Sequence, residues 1–143
     1  ANFKAFVEQP ATAERKERLR KVDMLAENMK VVELQTDFNV TLLEAMIRAR
    51  NEASAAEYQV DNSRVEQMVA ETRADIGNKL EQRVPLMLLY VYRDVDDSTL
   101  SEYVALQNQP ALVWANQALK NAIIDTLSAA SDRVTENFTP ASS

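Results

Sequence analysis

The 143-residue chain has no cysteine and no histidine, one glycine and four prolines. Each shortage excludes something. Without His or Cys there is no imidazole base, no Ser-His or Cys-His nucleophile, no thiolate, and no zinc, haem or di-iron site of the usual His-containing kind. Without Cys the fold cannot be a disulfide-stapled scaffold, and the chain suits either cytosol or periplasm. So few turn formers, set against plentiful Ala, Glu, Gln, Leu, Met and Arg, predict a protein that is nearly all α. No run of ~18 apolar residues and no charged leader with a hydrophobic core occurs, so neither a transmembrane span nor a signal peptide is expected within these residues. The chain opens at Ala1, and a leader removed from a longer precursor is compatible with that start.

What is present fits one helical domain. Apolar residues make up 46% and charged residues 27%, which is ordinary for a soluble fold, and the length suffices for one sizeable core. The net charge of −6 argues against nucleic acid as a partner, because phosphate binding needs a basic surface. The densest basic cluster is Arg15, Lys16, Arg18, Arg20 and Lys21, interrupted by Glu14 and Glu17. A solvated helix face laced with intrahelical ion pairs is favoured over an anion- or membrane-docking patch.

Periodicity predicts about five helices behind an N-terminal arm. Residues 1–11 bring Phe3, Phe6 and Val7 ahead of Pro10, an arm able to lay two aromatics on the body. From Thr12, the residues Leu19, Val22, Leu25, Met29 and Val32 recur at spacings of three and four. This first helix is expected to stop near Thr36, with Asp37, Asn39 and Thr41 supplying cap-forming side chains. Thr41-Leu-Leu-Glu44 has the form of a capping box opening a second helix, with Leu42, Leu43, Met46 and Ile47 inward. Asp61-Asn-Ser63 marks the next break, and Val65, Met68 or Val69, Thr72, Ile76, Leu80 and Val84 form the face of a third helix.

At Pro85 a kink or short break is expected, because proline removes an amide and crowds the preceding turn. The run Leu86–Tyr92 is read as helix, since no second strand candidate exists to pair with it. Its burial in a core or in a dimer face stays open. Asp96 is the expected N-cap of a short fourth helix, with Val95 and Leu100 placed as a hydrophobic staple and Tyr103, Val104 and Leu106 inward. Pro110 then suits the first turn of a long fifth helix carrying Leu112, Ala115, Leu119, Ile123, Leu127, Ala130 and Val134. Residues 139–143 read as a frayed tail.

Three constellations bear on chemistry. Asp94-Val-Asp96-Asp-Ser98 begins like a calcium loop but has Thr99 where glycine is needed and Ala105 where a bidentate Glu is needed. Capping accounts for the same residues, and no metal or cofactor is expected. The carboxylates Glu44, Glu52, Asp75 and Glu81 fall mostly on polar helix faces, and nothing marks two of them as a buried acid–base pair. Tyr90, Tyr92, Tyr103 and the sole Trp, Trp114, gather around the central joint beside Arg93. Packing is the favoured role for these rings, and an apolar-ligand pocket near Tyr92, Tyr103 and Trp114 is the alternative.

From Leu100 the spacing through Tyr103 and Leu106 to Pro110-Ala111 resembles a bacterial all-helical domain family of unknown function found in exported, mainly periplasmic proteins. The likeness covers roughly residues 92–130. The chain departs from the family pattern at Leu106-Gln107, where an aromatic pair is usual, at Gln109 in place of Ser and at Leu112 in place of Gly. The resemblance implies a periplasmic or secreted helical domain with no assigned activity. The expected function is therefore non-catalytic: binding or structural contact with a protein or envelope component, with Tyr92, Arg93, Tyr103 and Trp114 as the residues to watch.

Overall fold

A computed structural model describes residues 2–138, with side chains through residue 133. The tail expected at 139–143 and the side chain of Val134 lie outside these described residues. The fold is all-α: α1 Phe3–Val7, α2 Ala13–Asn28, α3 Val31–Ala53, a 3-10 turn Ala56–Tyr58, α4 Asn62–Val91, α5 Asp97–Gln107 and α6 Pro110–Phe138, with no strand among the described residues. The single domain expected from length is built as two compact units, each assembled from segments distant in sequence. One comprises Ala1–Val32 and Asn78–Leu119, the other Glu33–Gly77 and Lys120–Ser143.

In the first unit, α2 packs against α5. The spacing of three between Val22 and Leu25 puts both on one side of α2, and both are fully buried. Val22, Leu89 and Leu100 form a core cluster surrounded by Phe6, Leu19, Leu88, Tyr92 and Val95. As the staple expected at α5 requires, Val95 packs against the cluster to which Leu100 belongs. Asp96 caps the helix: its Oδ1 accepts from Thr99 N at 2.9 Å and Ser98 Oγ at 2.5 Å, and its Oδ2 accepts from Thr99 Oγ1 at 2.8 Å. Leu106 departs from the expected face and is 46% exposed, while the half-buried Gln107 takes the inward position.

The expected break near Asp37–Thr41 is not there. The chain turns instead at Met29–Lys30, with Lys30 in the left-handed region at φ 56°, a place normally held by glycine. Asp37, Asn39 and Thr41 lie inside α3. Their cap-forming groups are employed otherwise: Asn39 donates to Gln35 O four residues back at 2.6 Å, and Asp37 forms ion pairs. Thr41-Leu-Leu-Glu44 is not a capping box, because the Glu44 carboxylate pairs forward with Arg48 at 2.7 Å. Nor does Pro85 break its helix, for α4 runs through it without interruption. Pro85 is itself buried, between Val84 at 1% exposure and the half-buried Leu86.

The second unit contains α3 from Glu33, the first half of α4 and the C-terminal part of α6. Thr36 and Val40 are buried on α3, and the phase they set keeps Leu43 and Ile47 half-buried while turning Leu42 and Met46 outward. Asn51 braces the connection to α4 with paired bonds, donating to Val60 O and accepting from Val60 N, both at 2.8 Å. Asp61 caps α4 by accepting from Arg64 N at 2.9 Å.

Gly77 sits in the interior of α4, where a β-carbon would meet only Thr36 Oγ1 at 4.0 Å, an ordinary contact distance. Replacing helical glycine by alanine gains up to about 1 kcal/mol of backbone entropy and propensity. Against this stands the buried Thr36 hydroxyl, which has no hydrogen-bond partner and gains none from a methyl group. Gly77→Ala is expected to stabilise by about 0.5–1 kcal/mol, read as a rise in urea midpoint; a fall would show that the two helices cannot accept the methyl.

Candidate functional site

The first unit contains a cleft of about 280 Å3 lined by Phe6, Gln9, Pro10, Thr12, Glu14, Arg15, Arg18, Leu89 and Arg93. Three local decisions build it. Asn2 caps α1 by accepting from Ala5 N at 3.0 Å, which sets the short arm helix. The Phe6 and Phe3 rings then meet Tyr90 edge-on, with centroids at 5.2 and 5.5 Å. Pro10 ends the arm, and Thr12 opens α2 by accepting from Arg15 N at 3.1 Å. The arm wall, the first turns of α2 and the last turns of α4 thereby face a common space.

The three guanidiniums in this lining do different work. Arg18 has a side chain only 15% exposed, and its Nη2 donates to the carbonyls of Tyr92 and Val95, each at 2.9 Å. Its Nη1 pairs with Asp97. Arg18 therefore holds the turn between α4 and α5 onto α2. Arg15 lies over the Phe6 ring at 4.5 Å and donates to Phe6 O at 2.9 Å and Gln9 Oε1 at 3.1 Å. No carboxylate among the described residues forms an ion pair with it. Arg93 lies over the Tyr90 ring at 4.3 Å, donates to Tyr90 O at 2.8 Å, and pairs with Asp94, itself 82% exposed, at 3.3 Å. Against these three cations the lining supplies one carboxylate, Glu14.

No family model, curated protein or solved structure matches the chain.

Of the four residues singled out by sequence, only Arg93 lines this cleft. Tyr92 and Tyr103 do meet, with ring centroids 6.0 Å apart, and they join a polar cluster. Tyr103 OH donates to Met29 Sδ at 3.9 Å and accepts from Gln107 Nε2 at 3.3 Å. Asn116 Nδ2 donates to Asn28 O at 3.2 Å and to Gln107 Oε1 at 3.0 Å. Burial, reinforced by Tyr103, pushes the Tyr92 phenol up. Trp114 stands apart at 73% exposure and does not pack as core. The expected solvated basic face on α2 holds for Arg20, paired with Glu17 at 2.8 Å, but not for Arg15 and Arg18. Sequence reasoning missed those two, and the residue type alone offered the signal: guanidiniums beside an aromatic-bearing arm.

A second group of charges lies in the other unit. Asp37, on α3, accepts from Arg73 Nη1 at 2.5 Å and Lys120 Nζ at 3.2 Å, and Lys120 also reaches Glu33 at 3.2 Å. Burial opposes ionisation of Asp37, but the bonds from Arg73 and Lys120 outweigh it and hold the carboxyl below its usual range. Burial likewise opposes the Lys120 charge, and Asp37 and Glu33 override it to push the ammonium up. No group of three acids able to hold a metal occurs among the described residues.

These directions fix the pH profile. The depressed Asp37, Asp61 and Asp96 carboxyls contribute stability that is present above the unfolded Asp value of about 3.9 and is lost as pH falls through their folded values. The raised Lys120 contributes stability that is present below the unfolded Lys value of about 10.4 and is lost as pH rises through its folded value. The chain has no histidine to titrate between. Urea midpoints are expected to be flat from about pH 5 to pH 9 and to fall on both sides. Asp37→Asn should flatten part of the acid limb, and an unchanged limb would show that this network does not couple to folding.

Proposed function

We propose that the chain is a non-catalytic binding domain of an exported bacterial protein, and that it engages a protein partner through the arginine cleft. The observation that carries this reading is Arg15, a guanidinium fixed over Phe6 and turned to the cleft without an ion-pair partner among the described residues. The cleft encloses about 280 Å3 between the arm, α2 and the end of α4. Such a space takes side chains presented by another protein. Export rests on the resemblance of residues 92–130, and the partner is accordingly sought in the envelope.

The alternative, a carrier of a small apolar ligand at Tyr92, Tyr103 and Trp114, has less support. Tyr92 and Tyr103 pack on each other, Trp114 stands in solvent, and none of the three lines the arginine cleft. A photo-crosslinking side chain placed at Gln9 tests the proposal in bacterial envelope fractions. An adduct competed by excess unlabelled domain, and absent when the probe sits at the exposed Glu66, is expected. Equal labelling from both positions, or a hydrolase activity in the purified domain, overturns it.

A further inference from the structure

Resting on the binding role just proposed, we infer that the cleft takes an extended acidic segment of the partner, in which an Asp or Glu stands next to a large apolar side chain. Both halves of that chemistry are in the lining. Phe6 and Pro10 give an apolar surface, and Arg15 and Arg93 place cations at it. Each of these guanidiniums is stacked over a ring, Phe6 or Tyr90, so its plane is fixed before binding and less side-chain entropy is lost when a carboxylate arrives. The Arg18 side chain is 15% exposed and committed to two carbonyls and Asp97, whereas Arg15 bonds only the neutral Phe6 carbonyl and Gln9 and the carboxylate on Arg93 is the exposed Asp94, so Arg15 and Arg93 are the residues that recognise the ligand.

Charge and size decide against other anions. Inorganic phosphate would leave the apolar lining wet. An anionic membrane would face a chain of net charge −6, on which this cluster is too small to steer association. A single carboxylate beside an aromatic ring satisfies cations and apolar surface at once.

The test uses the full chain and a fluorescein-labelled hexapeptide in which Glu and Asp alternate with Phe, read by fluorescence anisotropy. A twin peptide with Gln and Asn in place of the acids, inorganic phosphate as competitor, and vesicles rich in phosphatidylglycerol form the other arms. The acidic peptide is expected to bind, about tenfold or more weaker for Arg15→Gln, and weaker between 50 and 200 mM salt. Glu14→Gln, an exposed change that keeps the fold, is expected to tighten it severalfold. Equal binding of the neutral twin overturns the inference and leaves the binding role standing. Binding of phosphate or vesicles without the peptide also overturns it, in favour of a free anion or a lipid headgroup. If no peptide binds while the Gln9 crosslink still forms, the cleft has a partner of other chemistry and the inference fails. The chain's own exposed Glu57-Tyr58 is the remaining occupant: self-association abolished by Tyr58→Ser would put a second copy in the cleft and overturn the inference.

Discussion

Arg18→Ala is expected to destabilise the protein by about 2–3 kcal/mol, measured as a shift in urea midpoint at constant slope. The loss comes mainly from two backbone carbonyls and only slightly from the ion pair. Asp97 is 48% exposed, so water re-solvates its carboxylate when the guanidinium is gone, and an exposed pair is worth at most about 1 kcal/mol. The carbonyls of Tyr92 and Val95 lie in part-buried bonds, and each acceptor stripped of a charged donor costs about 1 kcal/mol or more. Asp97→Ala separates the two contributions: it is expected to cost less than about 1 kcal/mol, and a loss equal to that of Arg18→Ala would place the energy in the ion pair. Arg18→Lys should recover only part of the loss, since a single ammonium cannot serve both carbonyls and Asp97 with the geometry of a planar fork.

That pin also shows which parts of the fold were legible in the sequence. The α5 corner was readable because its signals are local: Asp96, Ser98 and Thr99 lie within one turn, and Val95 and Leu100 flank the cap in the spacing a staple requires. The α2–α3 joint was not. It turns at Met29–Lys30 without glycine, proline or a polar cap, whereas the residues that look like caps, Asp37, Asn39 and Thr41, sit inside α3. Asp37 is held there by Arg73 and Lys120, partners 36 and 83 residues away, and no local pattern announces them. Pro85 misled for a related reason, since tertiary burial beside Val84 and Leu89 outweighs the cost of one missing helical bond.

The candidate site was legible to the extent of Arg93. Arg15 and Arg18 looked like a solvated face because they lie among Lys16, Arg20, Glu14 and Glu17, and helical neighbours usually pair with one another. What removes them from that face is the folded-back arm, whose Phe6 carbonyl and ring receive Arg15, and the α4–α5 turn, whose carbonyls receive Arg18. Trp114 was misjudged in the opposite direction. A large ring near a helix corner is normally core, but the half-buried positions around it on α6 go to Leu112, Val113, Ala115, Asn116 and Gln117, which leaves the indole in water.

Leu100→Ala carries the largest expected loss, about 3–4 kcal/mol. Leu100 is 1% exposed and lies in one cluster with Val22 and Leu89. Truncation removes three carbons from that cluster, and the three helices that supply it, α2, α4 and α5, limit how far the void can close. Leu106→Ala on the same helix, 46% exposed, is expected to change stability by less than about 1 kcal/mol, which controls for helix propensity. The informative measurement is the double variant. Val95 packs against the cluster that contains Leu100, and its carbonyl is one of the Arg18 acceptors, so a void in that cluster loosens the turn on which the Arg18 bonds depend. Arg18→Ala combined with Leu100→Ala should therefore cost less than the two single losses added together, by about 0.5–1 kcal/mol or more. Strict additivity would mean that the apolar staple and the guanidinium pin hold the α4–α5 corner independently of each other.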